Sequence, residues 1–275
     1  MLKLGLIAGG GSLPITLAGH CRSVGRPYFV LRLKGFAEQA LAADDGVDVG
    51  MAELGRGINA LRRAGVQAVC FAGHVARPDL GNLKPDFRGL KALPGAIAAA
   101  RKGDDALLSF LLREFESEGF LIEGAHEVMR GLTLQEGPLG RLSPPPSIQP
   151  DVDRAFQAAR AIGAMDIGQG AVACDGLILA VEAQEGTDAM LSRVASLPQA
   201  LRGAPELPRG VLAKASKPGQ ELRVDLPTIG PETVRRAAAA GLAGIAGEAG
   251  RILVVDRDET QRLADELGLF VVGVP

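Results

Sequence analysis

The stretch LGLIAGGGSLP, residues 4–14, decides how the chain is read. A short apolar run climbs into three glycines, then Ser12, then an apolar segment with helical spacing. Strand, glycine turn and helix in that order begin a parallel α/β unit. A glycine turn that opens a helix also lets backbone N–H groups approach a phosphate. A dinucleotide-binding turn needs G-x-G-x-x-G and an acidic residue about 20 positions on. Gly9 and Gly11 fit the first two positions, but the third falls on Pro14, and the second strand ends at Arg32-Leu33-Lys34 without a carboxylate. No GK[ST] follows, so a Walker A loop is excluded. Two readings remain: a non-dinucleotide cradle for a phosphate or sugar, with Gly10, Gly11 and Ser12 as its contacts, and a tight turn that binds nothing.

Outward from that turn, residues 13–24 read as a helix, 27–33 as a strand, 53–64 as a helix and 66–72 as a strand. Two further helices are expected over 88–101 and 104–118, then a short strand near Phe120. Gly73 and His74 follow a strand directly, where open α/β sheets place ligands. His20 and His126 are weaker candidates, and no histidine pair has metal spacing. The helix over 104–120 is rich in Leu and Phe. It reads first as a core-facing helix, with a wall for acyl chains or a membrane-surface helix as the other readings; its acidic polar face weakens the membrane one.

Residues 137–150, GPLGRLSPPPSIQP, hold five prolines and no periodicity. They read as a semi-rigid linker. The expected architecture is therefore α/β in two domains. A Rossmann-like parallel sheet spans 1–136, the linker 137–150, and a mixed α/β domain 151–275. In the second half a helix covers 151–164, and two strands flank Cys174-Asp175-Gly176, whose Asp-Gly pair signals a hairpin. A helix follows over 187–196. Residues 210–214 and 221–226 read as extended, 230–240 as helix, 257–267 as helix and 269–274 as a closing strand.

Composition narrows the partners. Lys plus Arg total 30 against 32 Asp plus Glu, a net charge of −2, and Trp is absent, so neither a basic nucleic-acid surface nor a base-stacking platform is advertised. Three dispersed cysteines without CxxC spacing fit a reducing compartment and give no zinc site. The N-terminus lacks a signal-peptide pattern and no apolar run is long enough to span a bilayer. A cytoplasmic protein is expected.

The polar candidates concentrate in the second half. DIGQGAV (166–172) sets Gln169 and Gly170 at the mouth of a strand. AVEAQEGTDAML (180–191) ends a strand at Glu182, Gln184 and Glu185, and offers Thr187 as a helix N-cap. Lys214, Asp225 and Thr228 follow. Phosphoanhydride hydrolysis needs cations or N–H dipoles on the phosphoryl oxygens and a carboxylate to orient water or a metal. Lys214, Glu185, Thr187 and Asp225 supply that chemistry. Asp225 stands between Val224 and Leu226, so on an extended segment its side chain points away from its apolar neighbours.

At this point several blocks carry a resemblance. KLGLIAGGGSLP, VCFAGHVARPD, ARKGDDALL, EGAHEV, DIGQGAV, AVEAQEGTDAML, GVLAKASKPGQELRVDLPTIG and GLAGIAGEAGRILVVDR, in that order from Lys3 to about Val274, resemble the LpxI-type UDP-2,3-diacylglucosamine pyrophosphatases. The resemblance implies hydrolysis of UDP-2,3-diacylglucosamine to lipid X (2,3-diacylglucosamine 1-phosphate) and UMP in lipid A biosynthesis. It implies Mg2+ dependence, water attack at the phosphorus on the sugar side, and two α/β domains holding the lipid between them. The family's essential aspartate maps onto Asp225, which becomes the first choice for metal binding or water activation, with Glu185 or Asp188 as its partners. Peripheral contact with the inner-membrane surface and a homodimer are the accompanying expectations. A nucleotide-sugar-binding regulatory protein without turnover stays open beside this reading, and it predicts a mild effect of Asp225→Ala.

Overall fold

The computed structural model describes residues 1–76 and 83–275. Residues 77–79 of the VCFAGHVARPD block therefore lie outside the described residues. The chain divides into two compact units, Met1–Arg130 with Glu221–Asp225, and Gly131–Gln220 with Leu226–Pro275.

The first unit runs β1 (Leu4–Ala8), α1 (Ser12–Ser23), β2 (Tyr28–Leu33), β3 (Gly46–Val49), α2 (Leu54–Arg63), β4 (Ala68–Ala72), α3 (Phe87–Ala100), α4 (Asp104–Glu116), β5 (Leu121–Ile122) and α5 (Ala125–Val128). Its strands form a parallel sheet in the order β3-β2-β1-β4-β5. The continuous apolar run of β1 is buried throughout, as a strand covered on both faces requires. Ile7, Leu31, Ile58, Leu61 and Val69 fill one core with Phe115 and Phe120. The order reverses direction between β1 and β4, so the loops leaving those two strands flank the switch point where such sheets take ligands.

The second unit runs β6 (Gly137–Pro138), α6 (Gln149–Ala164), β7 (Gly170–Cys174), β8 (Leu177–Val181), α7 (Gly186–Ser196), β9 (Val211–Lys214), β10 (Thr228–Ile229), α8 (Pro231–Ala239), β11 (Gly244–Glu248), β12 (Leu253–Val254), α9 (Arg257–Leu267) and β13 (Phe270–Val274). Its main sheet has the order β6-β13-β11-β9-β7-β8. β9, β11 and β13 are parallel, whereas β6, β7 and β8 enter antiparallel pairs, so the sheet is mixed as expected. The Pro-rich stretch belongs to this unit: Gly137–Pro138 pairs with β13, and Ile148 packs into the core under α6.

The hairpin signal at Asp175-Gly176 has a physical support beyond the turn itself. Both residues take positive φ, 50° and 79°. The buried Asp151 carboxylate accepts from both of their N–H groups, at 2.9 and 2.7 Å. One extended expectation is corrected. Residues 221–226 form a turn in which Val224 and Asp225 both donate to the Glu221 carbonyl, at 3.0 and 3.1 Å. The Glu221–Arg223 pair, held in turn by Asp105 and Glu116, favours that turn over a strand.

Candidate functional site

In the first unit the glycine turn packs against the loop that follows β4. Gly10 N–H donates to His74 O at 2.9 Å, and His74 N–H donates to Gly10 O at 3.0 Å. A Cβ on Gly10 would sit 2.8 Å from His74 Cε1, and one on Gly9 would sit 2.7 Å from His74 O. Gly73 has φ +88°, and its Cβ would meet Gly10 O at 2.5 Å and Pro14 Cγ at 2.9 Å. The glycines are thus required for loop-to-loop approach, and Pro14 fills the space where a dinucleotide turn has its third glycine. Gly11 is the N-cap of α1 with φ 88° and no side-chain cap, and Ser12 is the first helical residue. The N–H of Gly11 donates to the Glu38 carboxylate at 3.1 Å. Glu38 had no motif around it, so the spacing of residues gave no reason to place it here.

Asp225 ends the turn that belongs to this first unit. Arg223 fixes that turn: its guanidinium spans Glu221 at 2.9 and 2.7 Å and reaches Glu116 on α4 at 2.9 Å. The Glu221 N–H donates to Asp105 Oδ1 at 3.0 Å. The paired guanidinium holds the Glu221 carboxyl below its ordinary range against the opposing effect of burial, and the same partners raise Arg223. Asp225 itself is half-buried. Its placement beside apolar neighbours is therefore set by a turn and not by strand alternation.

In the second unit a polar group is built on the ends of β8 and β9. Lys214, the last residue of β9, is only 4% exposed. Its Nζ donates to Thr187 Oγ1 at 2.8 Å and to the Thr228 carbonyl at 3.1 Å. The Thr187 hydroxyl in turn donates to Glu182 Oε1 at 2.8 Å. Glu182 is 7% exposed, and its Oε2 is buried without a hydrogen-bond partner among the described residues. Gly170 lies opposite Lys214 in the β7–β9 register, and a Cβ there would meet Glu182 Oε2 at 2.6 Å. The Glu182 carboxylate thus covers the Gly170 Cα. Gln169 carries the adjoining loop: its carbonyl accepts from Ala215 N–H at 3.0 Å, and its side chain meets Gln220 at 3.4 Å.

The structure thus joins Gly170, Thr187, Lys214 and Thr228 into one set, with Gln169 beside it, and gathers Gly10, Gly11, Ser12 and Gly73 into another. Glu185 joins neither; it is exposed and pairs with Arg193. Thr187 lies within the first turn of α7, whose N-cap is Glu185, and its hydroxyl caps nothing. Asp188 pairs with Arg236 at 3.5 Å. Glu182 takes the place that sequence reasoning gave to Glu185. The signal for it is present in the sequence, since a carboxylate between Val181 and Ala183 at the end of an apolar strand is unusual in a core. Among the described residues no three His, Cys, Asp or Glu side chains form a set able to hold a metal ion.

Behind Lys214, Glu248 at the end of β11 accepts from both Ser216 N–H and Ser216 Oγ, at 3.0 and 2.8 Å, and from Arg160 at 3.0 Å. Burial raises its pKa, but the Ser216 and Arg160 donors outweigh burial and hold it below the usual range. No helix among the described residues is long and apolar enough to cross a membrane.

Comparison with known proteins extends these observations over the whole chain. The family described as "LpxI N-terminal domain" matches residues 3–132, and "LpxI C-terminal domain" matches residues 135–272. A protein of Caulobacter vibrioides named UDP-2,3-diacylglucosamine pyrophosphatase LpxI is 63% identical over 274 residues, which covers 100% of this chain and 98% of that relative. The chain belongs to the LpxI family.

Proposed function

We propose that this protein is a hydrolase of lipid A synthesis that cleaves the pyrophosphate of UDP-2,3-diacylglucosamine, releasing UMP and 2,3-diacylglucosamine 1-phosphate (lipid X). Family membership and the name of the Caulobacter vibrioides relative support the substrate. The observation that carries the chemistry is the buried ammonium of Lys214, held by Thr187 and Thr228 at the end of β9. A cation fixed in a low-dielectric strand end is preorganised for phosphoryl oxygens and needs no rearrangement as charge develops.

In this reading the oxygen of a water molecule bonds to the phosphorus on the sugar side while the Asp225 carboxylate takes a proton from that water. The P–O bond to the bridging oxygen breaks, and UMP leaves with that oxygen. The turn pinned by Arg223 supports such a role, because a general base must be held within hydrogen-bond reach of its water. Gly10, Gly11, Ser12, Gly73, Gln169, Gly170, Thr187, Lys214 and Thr228 are the proposed substrate contacts. A phosphate oxygen at Gly11 replaces the Glu38 carboxylate there. Mg2+ is the proposed activator on the strength of the family resemblance, and no step is assigned to it.

The test is turnover of UDP-2,3-diacylglucosamine by the purified protein in water enriched in heavy oxygen, with Mg2+ and with EDTA. The reading expects UMP and lipid X, the label in lipid X, and loss of both products with EDTA. A folded protein that binds the substrate tightly without products would make it a nucleotide-sugar-binding protein instead.

A further inference from the structure

Helix α3 presents an outward stripe of unusual composition. Phe87 is 87% exposed and Leu90 58% exposed. Lys91, Pro94 and Ala98 are exposed with them, at positions +4, +7 and +11 from Phe87, so all five share one helical face. Arg101 and Lys102 extend the same face beyond the helix end and are exposed too. No carboxylate stands on this stripe, although the chain as a whole carries a net charge of −2. Among the described residues Lys91, Arg101 and Lys102 enter no ion pair.

Five carboxylates near α3 have partners of their own. Asp86 caps the helix, accepting from Gly89 N–H at 2.8 Å, and also takes Arg56 N–H at 2.8 Å. Glu114 and Glu118 pair with Arg88, about a quarter-turn round α3 from Phe87, on the side where Gly95 packs against Phe110 of α4. Glu116 pairs with Arg223 and Asp105 with the Glu221 N–H. Of the carboxylates on 104–120, Asp105, Glu114, Glu116 and Glu118 thus have partners within the first unit, and the α3 stripe itself is apolar and cationic.

We propose that the α3 stripe is a docking surface for an anionic lipid bilayer. An exposed solvent face normally mixes both signs of charge with polar residues; a bulky aromatic and a leucine one turn apart, on a face whose charged residues are all cations, match instead the headgroup boundary of an anionic leaflet. Acidic protein surfaces would satisfy the cations but leave Phe87 and Leu90 in water. The inference rests on the proposed reading only for its use: a diacylated substrate resides in a membrane, and a docked enzyme meets it there.

Because the chain contains no Trp, Phe87→Trp supplies a single fluorescent reporter on the stripe. The full-length variant is titrated with phosphatidylcholine vesicles and with vesicles containing about a third phosphatidylglycerol, enough to give a strongly negative surface potential. The proposal expects a blue shift with anionic vesicles only, its reversal by salt, and loss of vesicle flotation in K91E/R101E/K102E, with wild-type turnover of detergent-dispersed substrate in that triple variant. No shift with anionic vesicles, an equal shift with neutral ones, or a shift that grows with protein concentration before vesicles are added would overturn it, the last by making a second copy the occupant. If Phe87→Trp does not fold, flotation of the wild-type protein decides the question by the same lipid and salt criteria. Turnover on dispersed substrate is read separately, so failure of the hydrolase reading would show there while the vesicle result stands on its own.

Discussion

Lys214 Nζ lies 2.8 Å from Thr187 Oγ1, and the proton of that same hydroxyl points to Glu182 Oε1 at 2.8 Å. A carboxylate accepts only, so Glu182 forces the Thr187 lone pair toward the ammonium. Thr187→Val removes both bonds and leaves Glu182 buried without this donor. The expected stability loss is about 1–3 kcal/mol, the range for an unsatisfied buried polar group. Turnover falls with it, because the ammonium loses its orientation. Thr187→Ser keeps the hydroxyl and restores both. Thermal melts and kcat/KM of the two variants check this, and a Thr187→Val protein as stable and active as the wild type would refute it.

Glycine substitutions separate close approach from mere flexibility. Gly9→Ala drives a methyl to within 2.7 Å of the His74 carbonyl oxygen, backbone that cannot swing aside, and is expected to destabilise by roughly 1–3 kcal/mol as overpacking does. Gly19 lies inside α1, and its nearest neighbour to an added Cβ is the far end of Arg22 at 3.9 Å. Gly19→Ala is therefore expected to stabilise by about 0.5–1 kcal/mol through helix propensity. Chemical denaturation of both variants gives the two signs directly.

Glu38 occupies the Gly11 N–H that the proposed substrate phosphate takes. Removing its charge with Glu38→Gln lowers the competition and the like-charge repulsion at the start of α1. KM is expected to fall about two- to five-fold with kcat little changed, the scale of one charge at a helix N-terminus. A raised KM would mean that Glu38 contacts the substrate favourably.

The depressed pKa of Glu248 makes a pH prediction. Its contribution to stability is present above the unfolded carboxyl value of about 4.3 and is lost as pH falls through the lower folded value. Glu248→Gln is then less stable than the wild type at neutral pH, and the difference closes below about pH 4. Urea titrations at neutral and acid pH check whether the gap closes; a constant gap would assign the effect to packing.

Much of the fold was legible because its signals are local. The buried apolar run of β1 before three glycines, and Asp-Gly between two apolar runs, each specify a turn and its flanking strands without help from distant residues. Short pieces were not legible: β3, β6 and β10 have four residues or fewer and no period to detect. The turn at Glu221–Asp225 looked extended because its stabilising partners, Glu116 and Asp105, lie more than a hundred positions away. The site was legible as chemistry and less so as geometry. Lys214, Thr187, Gly170 and Thr228 come together, but Glu182 and not Glu185 is the carboxylate that joins them, since only the packing of Glu182 over the bare Cα of Gly170 decides between two acids three residues apart.

The central claim is hydrolysis that depends on the Asp225 carboxylate. The most direct measurement compares wild type and Asp225→Asn for binding of UDP-2,3-diacylglucosamine and for single-turnover release of UMP. Asparagine preserves the shape of the side chain and removes its ability to take a proton. Binding within a few-fold of wild type and a rate lower by about 10²–10⁴, the range for loss of a general base, are expected for Asp225→Asn. UMP release by Asp225→Asn at the wild-type rate would contradict it.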